Sequence, residues 1–103
     1  MCGRYFFTPP APAAEQRFNA KFSEPTPPAY NATPSQRLPV ITNAAPSQIQ
    51  LLRWGLLVPA WSRDPAGGPK PINARAETLA DKPSFQMLLG RRRCLVLADG
   101  FYE

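Results

Sequence analysis

The apolar positions of this chain fall into short runs that proline keeps interrupting. Residues 1–8, MCGRYFFT, predict an extended segment after a small, flexible start. Residues 12–22, PAAEQRFNAKF, predict a helix: Pro12 suits a first-turn position, and Phe18 and Phe22 recur at helical spacing on one face. Residues 23–37, SEPTPPAYNATPSQR, carry dense turn punctuation and predict a loop, not a linker between domains, because apolar runs resume directly after them. LPVI (38–41) and QIQLLR (48–53) predict strands, joined by a turn at TNAAPS.

WGLLVPAW (54–61) is an apolar run bracketed by tryptophans and broken by Pro59, and SRDPAGGPKP (62–71) predicts a loop. INARAET (72–78) is short and mixed. DKPSFQMLLG (81–90) predicts a short helix, with Pro83 near its start and Gly90 at its stop. CLVLA (94–98) is the strongest strand pattern, and Asp99–Gly100 is a turn signal. FYE (101–103) then opens a further strand that has no room to pair, which predicts the front part of a longer protein; a frayed tail is the alternative that composition leaves open.

Composition narrows this picture. At 103 residues the chain predicts one domain, and 44% hydrophobic with 11% aromatic content is enough for a packed core. The 14 prolines argue against a helical bundle and for a loop-rich, mixed α/β domain. No apolar run has the length of a membrane span, and the N-terminus lacks the pattern of a signal peptide. With no histidine and two distant cysteines, neither a standard zinc site nor a histidine-based nucleophile can be assembled within the chain. The net charge of +5 comes mostly from arginine, whose planar fork suits phosphate. That excess reads either as an ordinary solvated surface or as a nucleic-acid surface. Cys2 and Cys94 are expected to be reduced thiols of a cytosolic protein.

Several residues carry candidate chemistry. Removal of Met1 would leave Cys2 with an amine and a thiol on adjacent carbons. The amine can condense with an aldehyde to an imine, and the thiolate can close onto the imine carbon to give a thiazolidine. An α-amine has a reference pKa of about 7.7–8.0, so a useful share is neutral near pH 7. The plainer reading is that Cys2 is a residue without a role. Cys94 and Trp54 read as core residues. Trp61, close in sequence to Arg63, Lys70 and Arg75, reads either as the edge of the core or as a platform on which a base stacks. Asn73, Arg75 and Glu77 alternate, so on a strand they would share one face, as a polar site or as a solvated face with a weak ion pair. Arg91, Arg92 and Arg93 would contact phosphate or complement the end of the preceding helix. Glu103 needs burial to act as a general acid or base.

MCGRY at the start, YNATPSQ with LPVI (30–41), RWGLLVPAW (53–61), INARAET (72–78) and CLVLADGFYE (94–103) together closely resemble the SOS response-associated peptidase family, also called abasic-site processing proteins. The five blocks keep the family's order and span the whole chain. The resemblance implies a mixed α/β fold around a strongly curved, barrel-like sheet. It also implies a DNA damage response protein that crosslinks to abasic sites in single-stranded DNA through a thiazolidine at Cys2, without cofactor or metal. Family members are described as peptidases as well, in connection with removal of their own initiator Met. Carried over by residue, Cys2 would be the nucleophile, Asn73 would position the amine and the sugar oxygen, and Glu103 would assist proton transfer. Arg4 and Arg75 would hold flanking phosphates. Trp61 would stack on bases, and Asn31 and Pro34 would line the cleft.

One departure accompanies the resemblance. Full-length members run to roughly twice this length, an ordinary domain size, and carry an active-site His after the Y-E-W block. This chain has no His and stops at Glu103. Residues 1–103 are therefore expected to form the N-terminal part of one domain, with its C-terminal part and about half its sheet absent. Unpaired edges would favour aggregation. The expected protein is a monomer, cytoplasmic, and nucleoid-associated when bound to DNA. The competing readings are a non-covalent module that binds single-stranded DNA and an inert truncated fragment.

Overall fold

The computed structural model describes residues 3–55 and 72–103. Its elements, in chain order, are β1 (Arg4–Phe7), α1 (Ala11–Phe18), β2 (Lys21–Phe22), β3 (Ala29–Ala32), β4 (Arg37–Thr42), β5 (Gln48–Arg53), α2 (Pro83–Leu89), β6 (Cys94–Val96) and β7 (Gly100–Tyr102). The strands form two sheets, ordered β3-β1-β7 and β2-β5-β4-β6. The fold is mixed α/β, strand-rich with short helices. Among the described residues the sheets do not close into a barrel, as an incomplete barrel requires.

The helix forms where Pro12 lies in the first turn, but it stops earlier than the spacing of the phenylalanines suggests. Asn19 adopts φ 50°, ψ 48° and turns the chain out of the helix, a conformation that Asn tolerates better than most residues. Phe22 therefore lies on β2, not on α1. Both Phe18 and Phe22 nonetheless pack against the core. Glu15 anchors this change of direction, its carboxylate accepting the Phe22 N–H at 2.9 Å. A second correction falls in the Pro-rich passage. Residues 29–32 form β3, paired antiparallel to β1, because β1 offers a ladder that local turn chemistry does not reveal.

β4 is flanked on both sides, by β5 in a register that pairs Pro39 with Leu51 and by β6 in one that pairs Val40 with Val96. Proline has no N–H to donate, but the Pro39 carbonyl still accepts from the Leu97 N–H at 3.4 Å. At Leu97 the chain leaves one sheet for the other. The Asp99 N–H donates to the Phe6 carbonyl at 2.8 Å, and the Asp99 carboxylate accepts the Thr8 N–H at 2.7 Å and the Thr8 hydroxyl at 3.1 Å. Asp99–Gly100 is thus a corner between sheets, with Gly100 already on β7, and not the turn of a hairpin. The FYE segment does pair: β7 runs antiparallel to β1, with Arg4 opposite Tyr102 and Tyr5 opposite Phe101. The missing partner was the N-terminal strand, nearly a hundred residues away in sequence.

The core lies between the two sheets. Tyr5, Phe7 and Ala32 from the first meet Leu38, Ile41 and Ile49 from the second, with Ala14, Ala20 and Leu97 completing it. Trp54 packs partly against it, as expected. Cys94 does not join it. Its thiol is free and exposed at the start of β6, an outer strand. Leu95, Val96, Phe101 and Tyr102, on the outer strands β6 and β7, are exposed as well.

Gly100 is a close approach. A Cβ there would lie 2.8 Å from Cε1 of Phe6, whose ring also tilts against Tyr102 at 5.6 Å. Gly100→Ala is expected to push the Phe6 ring off Tyr102, a contact worth about 1 kcal/mol. The urea midpoint should fall accordingly. An unchanged midpoint would show that the ring contact contributes nothing.

Candidate nucleic-acid interface

The alternation of β1 divides its residues between two environments. Tyr5 and Phe7 turn into the core, while Arg4 and Phe6 take the other face. Next to β1, the register with β3 shifts between Tyr5 and Phe7, as a bulge does when it re-aims side chains. On this face Arg4 Nη1 donates to Asn31 Oδ1 at 3.2 Å. From the other side, Tyr102 stands opposite Arg4, and its hydroxyl reaches across to donate to the Tyr30 carbonyl at 2.9 Å. A guanidinium, an amide and two aromatic rings are thereby gathered on one surface, a combination able to take a phosphate and stack a base.

Continuing the β1–β7 register places Glu103 across from Gly3, at the N-terminal end of β1. Glu103 is exposed, so the described residues do not supply the burial that a proton-transfer role calls for. Cys2 and Trp61 lie outside the described residues. Pro34 sits in a turn tied to Trp54, where the Ser35 N–H donates to the Trp54 carbonyl at 2.8 Å and the Trp54 N–H to the Gln36 carbonyl at 3.0 Å.

Trp54 also connects β1 with the Asn73 segment. Its ring tilts against Tyr5 at 5.5 Å, and its indole N–H donates to the Ile72 carbonyl at 2.9 Å. Residues 72–78 are not a strand: 72–75 are irregular and turns begin at Ala76. The expected shared face of Asn73, Arg75 and Glu77 is therefore absent. Two of the three still meet, because Asn73 and Arg75 border a cleft of about 400 Å³ with Thr78, Lys82 and Phe85. Turn bonds shape its wall, with the Thr78 N–H donating to the Arg75 carbonyl and the Lys82 N–H to the Thr78 carbonyl. A larger cleft of about 530 Å³ beside α1 holds none of the expected site residues. Its carboxylate, Glu15, is engaged by Phe22 and lies 3.9 Å from Lys21.

The family model of the SOS response associated peptidases (SRAP) matches residues 1–103, the full chain. The chain belongs to the SRAP family. It is 42% identical over 107 aligned residues to the abasic site processing protein YoqW of Bacillus subtilis (strain 168), covering 100% of this chain and 47% of that protein. YobE, an abasic site processing protein of the same organism, is 51% identical over 77 residues, 74% of this chain and 35% of its own length. The abasic site processing protein HMCES of Mus musculus is 37% identical over 91 residues, again 74% of this chain and 25% of its own length. This SRAP chain thus spans about half the length of YoqW and less of the others.

Arg4 and Asn31 are brought together in this SRAP chain, as are Asn73 and Arg75, and Trp54 ties the Asn73 segment to Tyr5 on the core face of β1. Tyr102 and Phe6 were not singled out from sequence. The available signal was the period-2 placement of Phe6 beside Arg4 on one strand face; the arrival of Tyr102 depended on the β1–β7 pairing. Among the described residues no cluster of three metal-ligating side chains occurs, and no helix is long and apolar enough to cross a membrane.

Proposed function

We propose that this SRAP protein captures abasic sites in single-stranded DNA through its N-terminal cysteine. The observation that carries the reading is the β1–β7 register, which sets the Glu103 end of β7 against the Gly3 end of β1, beside the Arg4–Asn31 pair. One residue of chain separates Arg4 from Cys2 on that side. The names of the relatives, abasic site processing proteins, point to the same substrate.

The chemistry balances without a redox partner. With Met1 removed, the Cys2 amine adds to the open-chain aldehyde of the abasic sugar. Loss of water gives an imine, and the thiolate adds to its carbon to close the thiazolidine. Asn73 orients the amine and the sugar oxygen, and Glu103 moves the proton during dehydration and ring opening. Arg4 and Arg75 hold the flanking phosphates, Trp61 stacks on a base, and Asn31 and Pro34 line the approach. Residues 1–103 act as the N-terminal part of a single domain. The peptidase activity in the family name is not assigned to this chain.

The test is a denaturing gel of Met1-processed protein with single-stranded DNA carrying one abasic site. A retarded band that survives denaturation is the expected result. Binding on a native gel without that band would replace covalent capture by non-covalent binding, and neither signal would leave the fragment inert. Arg75 gives a separate check, being exposed at the rim of its cleft. Arg75→Ala should weaken binding and lower the salt slope by roughly 0.7, the single-strand value for one phosphate contact. An unchanged slope removes Arg75 from the contact set.

A further inference from the structure

The run Arg91–Arg92–Arg93 has no part in the site described above. It leaves the end of α2 in a turn, with the Arg91 and Arg92 N–H groups donating to the Leu88 carbonyl at 3.1 and 2.8 Å. The run is then gripped by one side chain from the β4–β5 turn. Asn43 donates through Nδ2 to the Arg91 carbonyl at 3.1 Å and accepts at Oδ1 from the Arg93 N–H at 3.2 Å. The Asn43 N–H donates to the Arg93 carbonyl at 3.0 Å. One asparagine thereby fixes the backbone on both sides of Arg92. Immediately afterwards, the pairing of Cys94 with Thr42 locks the chain into the sheet.

The side chains of these arginines all remain exposed. The ion pairs among the described residues, Lys21–Glu15 and Arg37–Glu24, leave them out. Service to the helix end does not explain them. The last turn of α2 contains no basic residue, and the run follows it; charge–dipole interaction fades beyond the last turn. The Leu88 carbonyl is already satisfied by backbone N–H groups. What remains is a rigid backbone presenting adjacent guanidinium forks to solvent, on a chain of net charge +5. Ordering the backbone in advance reduces the entropy lost when a ligand is bound, and the planar fork matches phosphate oxygens.

We propose that Arg91–Arg93 is a phosphate-binding shelf for the backbone of a DNA strand, preorganised by Asn43 and separate from the Arg4–Asn31 face. The proposal rests on the DNA reading of the preceding subsection and adds a second anchoring point to it. The shelf reads charge and not sequence, so it holds undamaged DNA as well as DNA with a lesion.

The test measures binding of the full chain to an undamaged single-stranded oligonucleotide across a salt series. Replacing all three arginines by Ala should lower the salt slope by roughly 2, at roughly 0.7 per contact. Asn43→Ala leaves the charge unchanged and should still weaken binding several-fold. If the triple variant loses its native circular dichroism, the single Arg→Gln variants carry the test, each lowering the slope by roughly 0.7. Wild-type binding with an unchanged slope in these variants overturns the shelf and leaves the abasic-site reading standing. Failure of the wild-type chain to bind DNA at all, abasic or intact, overturns both. Displacement of the DNA by polyglutamate at equal charge concentration would assign the shelf to acidic protein and overturn the commitment to nucleic acid.

Discussion

Cys2→Ala should abolish the denaturation-resistant adduct with abasic single-stranded DNA while leaving salt-dependent binding nearly intact. The substitution retains the α-amine, so imine formation remains available; it removes the sulfur that closes the ring. Intramolecular closure benefits from an effective molarity on the order of 10⁵ M or more, which external thiols at ordinary concentrations do not match. The phosphate contacts proposed for Arg4, Arg75 and the Arg91–Arg93 turn are made by other side chains. Two readouts separate the roles: a denaturing gel reports the adduct, and anisotropy across a salt series reports binding. Borohydride should trap the residual imine of the alanine variant as a stable amine adduct. Persistence of the untrapped adduct in Cys2→Ala, or an acetylated α-amine on the wild-type protein, would sink covalent capture. Equal loss of adduct and binding would show instead that Cys2 acts through the structure.

Leu97→Ala should be among the most destabilising single changes in the chain. Leu97 is 2% exposed, and it sits where the chain passes from the β2-β5-β4-β6 sheet to β7. Removing a buried leucine side chain to the Cβ typically costs about 2–5 kcal/mol, through lost transfer energy and the cavity left behind. A domain of this size has a stability of about 5–15 kcal/mol at most, so the loss is a large share of the total. It would also loosen the corner that sets Tyr102 opposite Arg4. The expected result is a large drop in the urea midpoint with little change in its slope, together with weaker DNA binding. Leu95→Ala is the control, because Leu95 is 62% exposed and its removal should change the stability by less than about 0.5 kcal/mol. Similar losses for the two variants would show that the sheet-to-sheet corner is not packed as described.

Local pattern and long-range pairing contributed differently to what could be read in advance. β4 and β5 were legible because apolar runs were bounded by a polar turn, and α2 was legible because Pro83 and Gly90 mark its ends. β3 was hidden inside proline punctuation, since its reason for being a strand is β1. The early end of α1 turned on a single αL residue, Asn19. Cys94 looked buried because strand patterning reports apolarity and not position in a sheet; on an outer strand, the same pattern is exposed. Of the site, the residue types and their family pattern were visible in the sequence. The Arg4–Asn31 bond joins residues 27 apart, and the Tyr102–Tyr30 bond joins residues 72 apart; neither has a local signature.

By itself, then, the sequence determined the mixed α/β class, the turn between β4 and β5, the ends of α2, the arginine-rich basic character and membership in the SRAP family. Each of these depends on residue type and short-range spacing, which the linear chain carries in full. Only the tertiary structure decided that β7 pairs with β1, that Trp54 joins the Asn73 segment to the core, and that Asn43 clamps the Arg91–Arg93 turn. The physical reason is that such pairings are selected by burial and hydrogen-bond satisfaction across the whole fold, where each segment competes for partners distant along the chain.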